Sequence, residues 1–253
     1  MSGWRWIVRA FRMFRLNPLA WLLMNLVLLL LGSALMLVPV VGPMVFALLT
    51  PVFMAGMMQA CRDQESGAQV QVAHLFAGFR SNPGQLVAVG GVYLVGQIVV
   101  AGIMTWLGGE GLRVVLNTAL RGGPPNQTGP VASDAVVFAL LVGSALFTPL
   151  AMAVWFAPAL VTLADVPAMS ALRLSMQACL RNLLPIFIYS VLLVLGVMAG
   201  LFLLRLMLSL VPGAIAFVRG FAALTALVVW VTVTLISVYT SYRELFAEGE
   251  RRA

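Results

Sequence analysis

The side chains in this sequence best suited to metal binding or nucleophilic chemistry are one histidine, His74, and two cysteines, Cys61 and Cys179. A zinc site is built from several convergent ligands, usually including a close-spaced pair. A nucleophile works beside a base that activates it. None of the three residues has such a neighbour in sequence, so a one-His, two-Cys centre is not expected. The tetrapeptide MQAC occurs at 58–61 and again at 176–179, but the copies sit differently relative to the surrounding pattern and read as coincidence. The fourteen methionines would suit copper only as a Met-x-x-Met cluster facing outside. They are instead spread through apolar runs, where Met fills packing gaps. The sequence therefore carries no catalytic, metal or cofactor assignment, and the chain reads as non-enzymatic.

Ionisable residues inside apolar spans mark ion paths and proton relays. Here they are nearly absent: Arg205 stands at a span end, as do Asp134 and Asp165. A carboxylate relay is unsupported. The polar residues within spans are Asn25, Tyr93, Gln97, Ser144, Thr148 and Tyr189. Such groups can line a path or tie helices together at about 0.6 kcal/mol each, and the tie is the expected use.

The elements that must carry these residues follow from composition. Of 253 residues, 62% are hydrophobic and 9% charged. Soluble domains run near 25% charged, and a soluble fold of this size has too little interior to hide so much apolar surface. A bilayer core takes roughly 20 apolar residues per helix. Six runs qualify, at about 19–41, 43–60, 85–107, 135–163, 183–204 and 221–242. The expected fold is all-α, a single six-span membrane bundle with both termini on one side. The fourth run holds Pro149 and Pro158, so it is expected to kink or to divide around Pro149. The first run is too long for a cleavable signal core.

The net charge is +7, and all fifteen basic residues are Arg. They sit beside apolar runs, which points to membrane anchoring and away from nucleic acid. With the N-terminus inside, eleven Arg fall inside, including Arg251 and Arg252, and four outside (Arg113, Arg121, Arg205, Arg219). By the positive-inside rule both termini are cytoplasmic, and the expected location is a bacterial inner membrane. The outer segment 108–134 contains Asn126-Gln127-Thr128, a glycosylation tripeptide of little weight in a bacterial protein. It also carries a short periodic stretch at Leu112, Val115, Leu116 and Ala119.

One plan recurs three times: an amphipathic helix, an Arg-Asn element, then a hairpin of two spans. The elements are FRLNPL at 14–19, FRSNPGQL at 79–86 and LRNLLPI at 180–186. They contribute Arg15, Asn17 and Pro18, then Arg80, Asn82 and Pro83, then Arg181, Asn182 and Pro185. Proline disfavours helix in the residue before it yet fits a first helical turn, so each element turns the chain from lying on the membrane to crossing it. Two spans also share a Thr-Pro step, Thr50-Pro51 and Thr148-Pro149. There the Thr hydroxyl is expected to help satisfy the carbonyl that proline frees. Gly90, Gly91 and Gly96, with Gly196 and Gly200, are expected to form close-packing seams.

Residues 3–16 form the clearest amphipathic helix, with Arg5, Arg9, Arg12 and Arg15 on one face and Trp4, Ile7, Val8, Phe11 and Phe14 on the other. This is the pattern of a basic interfacial helix whose partners are anionic lipid headgroups. Two more are expected at about 70–79 and 167–180, the latter started by Asp165. Their faces lie on lipid, pack on the bundle, or meet a protein partner or second copy.

The segment LFAGFRSNP, 75–83, follows a short polar stretch after a span. In this it resembles a recurring element of uncharacterised bacterial six-span membrane proteins. That loose group includes the membrane domain found beside glycerophosphodiester phosphodiesterases. In it an acidic residue often takes the place held here by His74. The resemblance implies architecture and no activity, since the phosphodiesterase domain is absent. Two roles follow as expectations: an envelope scaffold or assembly factor, or a carrier or channel for a lipid-like, apolar solute.

Overall fold

The computed structural model describes residues 2–121, 134–209 and 216–247. The Asn126-Gln127-Thr128 tripeptide and Arg251 and Arg252 lie outside the described residues. Within them the fold is helical: α1 Ser2–Leu16, α2 Pro18–Met36, α3 Val41–Glu65, a short 3-10 helix Val72–Phe79, α4 Pro83–Arg121, α5 Asp134–Trp155, α6 Ala157–Leu163, α7 Ala168–Arg181, α8 Leu183–Ser209, α9 Ala216–Tyr242, and a final π-helical turn Arg243–Ala247. Six segments are long and apolar enough to cross a membrane, with α5 and α6 counted as one.

The chain changes direction where Asn and Pro stand together. Asn17 alone separates α1 from α2, and Pro18 is the first residue of α2. Pro83 opens α4 directly after Asn82, whose φ is +48°. Asn182 separates α7 from α8, with Pro185 in the first turn of α8. These prolines lack an N–H at positions where a helix has no acceptor for one.

α3 is the central helix, buried over much of its length and packed on α2, the 3-10 helix, α4, α6 and α9. Gly56 lets the 3-10 helix approach α3 closely, because a Cβ there would collide with the His74 and Leu75 carbonyls. Gly78 does the same from the other side, against the Val52 carbonyl. α8 is the most lipid-like surface. Leu184, Phe187, Val194, Met198 and Phe202 are all exposed around it, as expected of a helix that is apolar on every face.

Several expectations need correcting in detail. The fourth span does break, but at Phe156 and not around Pro149, which stays inside α5. Pro158, one of the two prolines expected to kink the run, stands in the first turn of α6 and has no N–H for the Val154 carbonyl, and beside it a side chain is inserted into the helical ladder. The Ser175 hydroxyl accepts from the Phe156 N–H at 3.0 Å and donates to the Met152 carbonyl at 2.7 Å. Those two backbone groups would otherwise bond each other. The Thr50 and Thr148 hydroxyls donate to Phe46 and Ser144, each one residue before the carbonyl that proline frees. Asp165 does not cap α7; it accepts from Asn82 Nδ2 at 2.7 Å, and Gln85 Oε1 accepts the Ala168 N–H instead. Gly196 receives the Trp230 ring, whereas Gly200 faces open space, so the pair is not a two-point seam. Gly90 does pack on the Leu48 backbone, and Gly96 on Leu150. α4 bends at Gly109, φ +53°, and its helix continues through the periodic stretch predicted in the outer segment.

Candidate functional site

The first four polar residues after the apolar run of α3 are Arg62, Asp63, Gln64 and Glu65. At about 100° per residue they point to different sides of the helix, and three of them reach separate elements. Gln64 accepts from the Trp21 indole at 3.1 Å and donates to the Met13 carbonyl at 2.9 Å, which ties α1 and α2 to α3. Glu65 accepts from the Tyr239 hydroxyl at 2.8 Å and pairs with Arg243. Asp63 meets His74 Nε2 at 3.3 Å. The His74 Nδ1 lies 3.0 Å from both the N–H and the carbonyl of Gln71. One polar run thus organises the Arg-rich end of the bundle.

α1 is held at the same end by a second carboxylate. Glu244 takes the Trp6 indole N–H at 3.1 Å and the Arg5 guanidinium at 3.2 Å, and Arg9 stands 3.8 Å away. Thr240 donates to the Trp6 carbonyl at 3.0 Å. Trp6 is fully buried, edge-on to Tyr189 with ring centroids 5.5 Å apart, and the Tyr189 hydroxyl is bonded to Ser237.

These contacts redistribute the faces of α1. Trp6, Ala10 and Phe14 are buried on the bundle, while Trp4, Val8 and Phe11 stay exposed. Arg5, Arg9 and Arg12 share a third side. At about 3.6 residues per turn, Arg15 falls among Trp4, Val8 and Phe11, not with the other three as expected. The helix therefore has a protein face, an apolar exposed face and a basic face. Arg80 and Arg181 lie at the ends of the 3-10 helix and of α7. Of the six Arg residues, Arg5 and Arg9 share Glu244.

Between α3 and the 3-10 helix lies a polar cleft of about 390 Å³ lined by Gln59, Asp63, Gln71, His74, Arg80 and Ser81. A second, apolar crevice of about 370 Å³ opens between α2 and α9, lined by residues including Asn25, Gly32, Phe46 and Leu227. Most polar groups of the spans bond within their own helix and are not the expected ties: Asn25 donates to the Trp21 carbonyl, Ser144 to Leu141, Thr148 to Ser144 and Thr232 to Val228; Tyr189, bonded to Ser237, does join α8 to α9. The cysteines do not join His74. Cys179 is buried on α7 with its Sγ 3.6 Å from the Met152 carbonyl, and burial pushes its thiol up to about 11. Among the described residues, no group of three or more His, Cys, Asp or Glu side chains is placed to hold a metal ion.

The polar run at the end of α3 was not singled out by sequence reasoning. Its signal was available: four consecutive polar residues directly after a span, two of them acidic in a chain with eight acidic residues in all.

No protein-family model matches the chain, and no solved structure does. The chain is similar to a probable inner membrane protein of Burkholderia thailandensis, at 35% identity over 98% of this chain and 92% of that protein.

Proposed function

The chain belongs to the family of that Burkholderia protein, and from this premise we propose a non-enzymatic, multi-pass inner-membrane protein that serves as an envelope scaffold or assembly factor. Its working surface is the Arg-rich end, placed in the cytoplasmic headgroup layer. One observation carries the reading. α1, the 3-10 helix and α7 each bury one face on the bundle and leave a second apolar face exposed at that same end: Trp4 and Phe11, Phe76 and Phe79, Met169 and Leu180. Aromatic side chains at the headgroup level are at home among lipids and also anchor protein interfaces. Arg12, Arg15, Arg80 and Arg181 add attraction to anionic lipid, at about 1 kcal/mol for each Arg near the surface. The likeness of 75–83 to the membrane domain beside glycerophosphodiester phosphodiesterases belongs to this proposal as an architectural kinship.

The test is extraction from the native membrane in a lipid-retaining polymer, followed by mass spectrometry of everything that co-purifies. A stoichiometric protein partner supports the scaffold; its absence removes the main support.

A second reading, a carrier of a lipid-like solute, is favoured by the apolar crevice between α2 and α9. It predicts that the reconstituted chain accelerates movement of a labelled lipid. Unchanged flux rejects it.

A further inference from the structure

We propose that the polar cleft between the end of α3 and the 3-10 helix binds one phospholipid headgroup, with Arg80 holding its phosphodiester and Asp63 its hydroxyl or ammonium group. The inference goes beyond the scaffold reading and does not depend on it.

The 3-10 helix Val72–Phe79 turns once in about three residues. Residues three apart in such a helix stand in line, so Val72–Phe79 presents three flat faces. Leu75 and Gly78 form the first and are buried against α3. His74 and Ala77, continued by Arg80, form the second and line the cleft. Phe76 and Phe79 form the third. They are exposed, with ring centroids 6.3 Å apart, and both lean on Phe53. A polar face and an exposed aromatic face therefore adjoin along one helix, directly before the span that Pro83 opens. That juxtaposition matches a phospholipid, whose charged headgroup adjoins its acyl chains. A soluble anion would have no use for the aromatic face.

The lining matches a headgroup in charge as well. Arg80 has no carboxylate partner among the described residues and stands beside the Ser81 hydroxyl. A planar guanidinium grips two phosphate oxygens at once. Asp63, its side chain 33% exposed, meets His74 at 3.3 Å and Arg62 at 4.0 Å and keeps acceptor capacity beyond both. Gln59 and Gln71 supply neutral donors and acceptors. The cleft volume of about 390 Å³ lies in the range of small-ligand sites, roughly 300–1,000 Å³.

The experiment uses the full chain, purified in mild detergent and examined by native mass spectrometry after exposure to phosphatidylethanolamine and phosphatidylglycerol. The wild type is expected to retain one phospholipid. Losing a charge-assisted contact lowers retention by about tenfold in Arg80→Ala, while Arg113→Ala, far along α4 and paired with Glu110, behaves as wild type. Arg80→Lys falls between, because it keeps charge without the two-pronged grip. Asp63→Asn changes which headgroup is preferred. Equal loss in Arg80→Ala and Arg113→Ala would reduce the effect to general surface charge and overturn the proposal. So would full retention by Arg80→Ala. Inorganic phosphate is the competing arm: if it alone occupies the site while no lipid is retained, the ligand is a free anion and the headgroup assignment falls. Thermal unfolding of each variant confirms that an altered fold is not the cause.

Discussion

Replacing Ser175 with alanine isolates the device that bends the fourth span. The hydroxyl is completely buried and stands between the Phe156 N–H and the Met152 carbonyl at 3.0 and 2.7 Å. Removing it leaves one donor and one acceptor in the interior with their normal partner four residues apart but out of line. An unsatisfied buried group costs about 1–3 kcal/mol, which is roughly 5- to 160-fold in the folding equilibrium. The segment could recover that cost only by straightening and joining α5 to α6. Straightening would lift Ala157, Ala159 and Leu160 off their buried seat, exposing apolar surface at about 25 cal/mol per Å². Both routes lower stability. The internal control is Thr162, whose hydroxyl is buried without a hydrogen-bond partner among the described residues. Thr162→Val exchanges that hydroxyl for a methyl of similar shape and is expected to be neutral or slightly stabilising. Reversible unfolding in mixed micelles, followed by tryptophan fluorescence, reads both variants. Wild-type stability in Ser175→Ala, or an equal loss in Thr162→Val, would refute the assignment of the break to the inserted hydroxyl.

Other perturbations follow from the same contacts. Glu244→Ala should loosen α1 and shift the emission of Trp6 to the red, whereas Glu244→Gln, which keeps an acceptor for the indole, should do so less; site-specific fluorescence checks both. Gly78→Ala should detach the 3-10 helix from α3 and cost about 1–3 kcal/mol through overpacking, while Gly200→Ala, which meets open space, should be silent in the same unfolding assay. Cys179 should resist maleimide at pH 8 in the folded protein: its thiol is pushed up to about 11, so the reactive thiolate stays scarce until the pH nears that value. Labelling at the rate of a free thiol would contradict the buried placement.

What the sequence reveals and what it hides divide along the range of the interactions. Apolar length alone predicts six membrane-crossing helices, because that property belongs to each segment by itself. The helix boundaries at Asn17-Pro18 and Asn82-Pro83 are equally local, since proline restricts only its immediate neighbours. The break at Phe156 is different. Of the two prolines in that run, Pro149 stays inside α5 while Pro158 stands in the first turn of α6, and the hydroxyl that completes the break, Ser175, lies 19 residues beyond Phe156. The same holds for the acidic residues at the end of α3. Glu65 finds Tyr239 across 174 residues, and Asp63 meets His74 only because two glycines bring the 3-10 helix onto α3. Arg15 was misplaced for a simpler reason: at about 100° per residue the helical count already sets it beside Trp4 and Phe11 and away from Arg5 and Arg9.

On the scaffold proposal, the exposed apolar faces of α1, the 3-10 helix and α7 form one working surface for a protein partner. Site-specific photocrosslinking in the native membrane tests it most directly, with the photoreactive residue placed at Phe11, at Phe79 and at Leu180, and at Leu201 on α8 as the control. A scaffold should show the first three positions capturing the same protein and Leu201 capturing lipid alone. Lipid adducts alone at all four positions would contradict it.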